Sequence, residues 1–213
     1  MFLWHAFDVR TVLPSGWAAQ LVEFASANAT PKVLTPTSVT SRESPGVASL
    51  AALTVGGRRV SEDLPWLFEL YSGLFRDLGQ RCIAEPLSLA SDVRYAVNLN
   101  VQRGTEMRYE AHVDSNPLEG LLYVTSHPEG DGGELVVGNE PGTTGVDAIE
   151  KDCTRIYPVS GQLVFFDARN HAHYVAPLRH TTDIRVVVAM NFYTPSCPES
   201  ARPSDLNRHL GIE

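Results

Sequence analysis

The stretch Val93-Arg-Tyr-Ala-Val-Asn-Leu-Asn-Val-Gln102 decides how this chain is read. Arg94, Ala96, Asn98, Asn100 and Gln102 alternate with Val93, Tyr95, Val97, Leu99 and Val101, the period of two expected of a strand with one apolar face. Downstream, the same alternation and Gly/Pro/Asn/Asp punctuation predict strands at Tyr109–Val113, Gly120–Thr125, Glu134–Val137, Gln162–Phe166 and Ile184–Tyr193. Upstream the period is helical. Pro14-Ser15-Gly16 opens a run with Trp17, Leu21 and Phe24 on one face, ending near Asn28. Thr30 to Ser49 reads as a long loop. Asp63 is the expected N-cap of a second helix, with Pro65 in its first turn. Leu67, Leu70, Leu74 and Leu78 form its stripe, to about Ala84. Short strands after a helical leader predict an α+β, mainly β domain of sandwich or jelly-roll type. The expected division is one domain: a mainly helical leader over 1–92, a jelly-roll core over 93–195, and a polar tail over 196–213 lying on the surface.

The composition is ordinary for a globular chain: 213 residues, 43% apolar and 20% charged. No apolar run approaches a membrane span. The first ten residues, with His5, Asp8 and three aromatics, do not read as a secretory signal. Seventeen basic against twenty-five acidic side chains give a net charge of −8, which opposes a nucleic-acid partner. Cys82, Cys153 and Cys197 are odd in number and lack metal-ligand spacing, so a reducing cytoplasm is expected. His5, His127, His180 and His209 also lack ligand spacing.

His112 and Asp114 stand two apart on a predicted strand and therefore share a face. A distant histidine, His171 or His173, can complete a two-His, one-carboxylate set with open positions, the arrangement associated with non-haem Fe(II). The competing reading of His-x-Asp is a half-exposed polar pair. Arg185 opens the last strand with Val187, Ala189, Asn191 and Tyr193 on its face, whereas Ile184, Val186, Val188, Met190 and Phe192 form a core face. A guanidinium among small residues suits the terminal carboxylate of a ligand, because its planar fork donates two parallel hydrogen bonds. The alternative is a surface ion pair.

Five blocks occur in order: Tyr109-Glu-Ala-His112-Val-Asp114, Gly120-Leu-Leu-Tyr123-Val-Thr, Gly132-Gly133-Glu134-Leu135, Pro158-Val-Ser-Gly161-Gln-Leu-Val-Phe-Phe166 and His173-Tyr-Val-Ala-Pro177 followed by Arg185. Together they resemble the 2-oxoglutarate/Fe(II)-dependent oxygenases, particularly the prolyl-hydroxylase-like branch. The resemblance covers residues 93–193. It implies a double-stranded β-helix with Fe(II) at its mouth, bound by His112, Asp114 and His173. His173 is favoured over His171 by the His-x-Val-x-Pro register. It further implies that Arg185, helped by Tyr123, binds the distal carboxylate of 2-oxoglutarate, and that Leu135 packs against this cosubstrate. The implied reaction consumes dioxygen and 2-oxoglutarate, and releases succinate and carbon dioxide.

Two positions depart from the branch pattern. Gln102 stands where a tyrosine is usual beside the cosubstrate, and Asn191 where a tryptophan is usual. With Arg94, Asn98 and Asn100 expected to face the same mouth, the substrate reads as a polar small molecule, such as an amino acid or natural-product intermediate. The alternatives are a prolyl hydroxylase acting on a peptide or protein, a cupin-like Zn or Mn enzyme, and a non-catalytic binding jelly roll. A nucleic-acid demethylase is opposed by the charge.

Overall fold

The computed structural model describes residues 4–206; His209 lies outside them. The strands are β1 (Trp4–Asp8), β2 (Thr30–Leu34), β3 (Leu50–Val55), β4 (Ser88–Leu89), β5 (Val97–Arg103), β6 (Leu118–Tyr123), β7 (Leu135–Gly138), β8 (Cys153–Ile156), β9 (Gln162–Phe166), β10 (His173–Val175) and β11 (Ile184–Tyr193). The helices are α1 (Trp17–Asn28), α2 (Gly57–Asp63), α3 (Pro65–Leu70), α4 (Arg76–Gln80), α5 (Val93–Ala96) and α6 (Val146–Lys151). A π-helical turn over Tyr71–Phe75 joins α3 to α4.

The strands form two antiparallel sheets. The large one runs β1-β9-β6-β11-β5-β3-β2, with β4 added beside β11, and the small one runs β10-β7-β8. Strand alternation divides the large sheet's residues between two environments. Val97, Leu99, Val101, Val186, Val188, Met190 and Phe192 pack with Leu21, Leu67, Tyr71 and Phe75 of the helical layer. Leu121, Val164, Phe166, Val187 and Ala189 face Leu135, Val137 and Val175 of the small sheet. The polar residues of β5 and β11 share this second face, so the site lies between the sheets. This is the expected mainly β jelly-roll architecture, with helices against one sheet.

Several local expectations need correction. Val93–Ala96 is a helical turn capped by the Asp92 carboxylate, which accepts from the Arg94 backbone N–H, and the strand begins only at Val97. Tyr109–Val113 forms no regular strand. Its backbone groups bond alternately to the 40–42 loop and to β10, leaving isolated bridges at His112. The Thr30–Ser49 loop is strand over Thr30–Leu34, paired with β3 in a hairpin, so the leader carries sheet beside its helices. Pro31 is tolerated because β2 is an edge strand. Asp63 is no cap; it ends α2, paired with Arg59, and α3 starts at Pro65. The helical run stops at Gln80, short of Ala84. Over its described residues, 196–206, the tail is anchored rather than draped. Cys197 and Leu206 are buried, the Glu199 carboxylate accepts from the Ser91 N–H, and Arg202 stacks on Tyr95.

Gly132 lies next to the small sheet with φ +79°, and a Cβ there would stand 2.1 Å from the Pro177 carbonyl oxygen. Gly132→Ala must move backbone as well as adopt a disfavoured conformation. It should lower unfolding free energy by about 2 kcal/mol or more, read from the denaturant midpoint.

Candidate active site

The two histidines are brought together by backbone. His112 and His173 exchange two N–H to carbonyl hydrogen bonds, each 2.9 Å, and their rings lie 4.4 Å apart by centroid. The Asp114 N–H donates to the Ala168 carbonyl at 2.8 Å, setting its carboxylate between the rings. Asp114 Oδ1 is 3.4 Å from His112 Nε2, and Oδ2 is 3.6 Å from His173 Nε2. One donor atom from each residue falls within 4.8 Å of the others.

The outer ring nitrogens fix the tautomers. His112 Nδ1 lies 2.6 Å from the Glu110 carbonyl, and His173 Nδ1 lies 3.0 Å from the His171 carbonyl. A carbonyl only accepts, so each Nδ1 carries hydrogen, and a neutral ring then presents its Nε2 lone pair to the centre. Two oriented imidazoles and a carboxylate make a donor set suited to a divalent transition metal. His171 is not part of the converging set: only His112, Asp114 and His173 bring donor atoms together among the described residues, while His171 directs its Nδ1 to the Gly138 carbonyl at 2.8 Å. In the metal-free protein, burial disfavours charge on both rings. For His112 the Asp114 hydrogen bond and charge outweigh burial and raise the ring to about 9. Burial, reinforced by His112, lowers His173 to about 4. Asp114, which burial would raise, is held below the usual carboxylate range by the two imidazoles.

Arg185 shares the cleft with these three residues. It is 1% exposed, and its guanidinium carbon lies 5.6 Å from the centre of the Tyr123 ring. Its Nε has no hydrogen-bond partner, nor does the buried Tyr123 hydroxyl. No carboxylate pairs with Arg185 among the described residues, and nearby Glu134 is held at 2.7 Å by Arg155. Gly133 keeps this wall thin, because a Cβ there would stand 3.1 Å from Arg185 Cδ. A buried cation lacking an anion is costly unless a ligand supplies one.

Leu135, Asn98, Asn100 and Asn191 line the cleft as expected. Asn191 donates to the Tyr95 carbonyl, and Asn100 Oδ1 accepts from the Tyr109 hydroxyl at 2.8 Å. Gln102 lies in register with Arg185, but its amide donates to the Met107 and Ala176 carbonyls at 3.0 Å each. It braces the wall. Arg94 is the clear miss: it sits on α5, paired with Asp92 at 2.7 Å, away from the cleft lining. The sequence reading also missed Tyr109, Glu119, Lys32 and Thr54, all of which line the cleft. Glu119 carried a signal, as the one charge in the apolar run Leu118–Tyr123. Burial, then the Asp114 charge, raises its carboxyl well above the usual range.

Comparison with known proteins bears on what this geometry serves. Residues 95–193 match the model of the 2OG-Fe(II) oxygenase superfamily. This chain carries a 2OG-Fe(II) oxygenase domain. No curated protein matches it in sequence. Among solved structures it is similar to AviO1 from Streptomyces viridochromogenes Tue57, with 13% identity and a TM-score of 0.66 over 95% of this chain and 93% of that one. It is also similar to SnoN, a non-heme alpha-ketoglutarate-dependent epimerase from nogalamycin biosynthesis (15% identity, TM-score 0.59, 95% and 86% covered). A third is a prolyl hydroxylase from Trichoplax adhaerens, solved with a hypoxia-inducible-factor peptide (15%, 0.59, 91% and 84%). These likenesses establish a shared oxygenase fold. An oxygenase of this superfamily uses Fe(II) and a dianionic 2-oxo acid, and the cleft offers a donor triad and an unneutralised buried cation. Among the described residues, no helix is long and apolar enough to cross a membrane.

The raised His112 ring gives the metal-free oxygenase a pH signature. Its folded value near 9 exceeds the ordinary 6.5, so its stabilisation is complete below pH 6.5 and is lost as pH rises through 9. The chelator-treated protein should therefore lose stability between pH 6.5 and 9 in denaturant titrations, and His112→Gln should flatten that slope.

Proposed function

We propose that this oxygenase couples oxidative decarboxylation of 2-oxoglutarate to hydroxylation, or another oxidation, of a polar small molecule. In this reading His112, Asp114 and His173 hold Fe(II), and Arg185 holds the distal carboxylate of 2-oxoglutarate beside Tyr123 and Leu135. The observation that carries it is the buried, anion-free Arg185 in the same cleft as the donor triad. Fe(II), when bound, supplies the activation of dioxygen against the 2-oxo acid, which leaves as succinate and carbon dioxide. The chain's own part is positioning. The Arg185 fork fixes one end of the cosubstrate, and the Tyr123 hydroxyl is free to donate to the same carboxylate. Leu121, Leu135, Val187 and Phe166 exclude water around it.

The small-molecule reading rests on the cleft wall. Asn98, Asn100, Asn191, Thr54 and Lys32 present amides, a hydroxyl and an ammonium, which a polar substrate can satisfy and a prolyl ring cannot. It accords with SnoN, solved with Fe3+, alpha ketoglutarate and nogalamycin RO. The test is succinate release above the uncoupled background across amino acids, polar metabolites and proline-containing peptides. Stimulation by polar small molecules is expected; stimulation by the peptides alone would make the chain a prolyl hydroxylase.

Two sets of variants test the roles. His112→Ala, Asp114→Ala and His173→Ala should each abolish iron-dependent turnover and weaken divalent-metal binding in calorimetry, whereas His171→Ala should keep both. Arg185→Leu should retain metal but bind 2-oxoglutarate at least tenfold more weakly. Losing one end of a buried charged pair costs roughly 2–5 kcal/mol.

A further inference from the structure

The cleft holds a second cation, on the hairpin that the sequence reads as loop. Lys32 lies on β2 opposite Ala52 and lines the cleft, as do Thr54 of β3 and Asn98 of β5. It is half-buried, burial lowers its pKa, and it forms no hydrogen bond or ion pair among the described residues. Thr54, 9% exposed, has a buried hydroxyl without a partner. A half-buried cation and a buried, unpartnered hydroxyl on neighbouring strands of one wall suit a ligand oxygen that accepts from both.

Position separates this wall from Arg185. Pairing places Lys32, Ala52, Gln102 and Arg185 along one cross-strand row. Three inter-strand steps put the two cationic residues' backbones about 14 Å apart. Arg185 stands at the sheet centre and Lys32 at its outer edge. The cosubstrate carboxylate and this second acceptor are therefore different groups. Arg94, the other cation the sequence expects at the mouth, is neutralised by Asp92, which leaves Lys32 as the cation on this wall.

We propose that Lys32, with Thr54, forms a subsite for a carboxylate of the substrate, making the oxidised compound a small carboxylic acid. This rests on the small-molecule reading above. The chain has two lysines, Lys32 and Lys151, so reductive methylation with 13C-formaldehyde gives one NMR resonance from each and preserves their charge. The protein is loaded with Zn(II) and saturated with 2-oxoglutarate, which occupies Arg185, and then titrated with acetate or with neutral acetamide. The expected result is a saturable shift of the Lys32 resonance with acetate, no shift with acetamide, and no response from Lys151. A Lys32 resonance that stays still, or moves in step with Lys151, overturns the subsite whatever the substrate is. Succinate release stimulated only by proline-containing peptides overturns the small-molecule reading whatever Lys32 does, so the two failures are distinguishable.

Discussion

The arrangement of the site depends on one constraint: a guanidinium buried at Arg185 with no acid to neutralise it. Leaving such a group uncompensated is among the most destabilising features a core can carry. Its neighbours temper the charge without cancelling it. The Tyr123 ring offers a weakly favourable face, and Glu134 is engaged by Arg155. The fold thus carries a standing preference for an anion between the sheets, beside a metal donor set. In the proposed function a dianionic 2-oxo acid answers both, one end on the arginine and the other toward the triad.

The triad is an outcome of backbone pairing more than of side-chain recognition. The two reciprocal bonds between His112 and His173 fix ring separation, and carbonyl acceptors at Glu110 and His171 fix the tautomers. Asp114 inherits its place from the Ala168 contact. Without a metal, the Asp114 carboxylate favours a proton on His112, and a divalent cation must displace that proton to reach the His112 lone pair.

Much of this was legible in the sequence, for identifiable reasons. β11 was read to its ends because ten residues alternate without interruption and one face is wholly apolar. The same alternation placed Arg185, Val187, Ala189 and Asn191 in the cleft. The triad was legible from ordered motif blocks, with register selecting His173 over His171. What failed was local. Val93–Ala96 alternates as a strand would, but Asp92 caps a helical turn there, rotating Arg94 into a local ion pair. The β2–β3 hairpin was hidden because Thr30–Leu34 contains Pro31 and only short apolar runs, which edge strands tolerate. Missing it removed Lys32 and Thr54 from view, and with them one wall of the cleft.

The central claim is that one cleft gathers a metal on His112, Asp114 and His173 and a diacid on Arg185. Its most direct test is an anaerobic crystal structure of the protein with Fe(II) and 2-oxoglutarate. The account predicts iron on Nε2 of both histidines and on the Asp114 carboxylate, with the distal carboxylate of 2-oxoglutarate paired to the Arg185 guanidinium. Iron bound through other residues, or 2-oxoglutarate seated on Lys32 with Arg185 still unpaired, would contradict it.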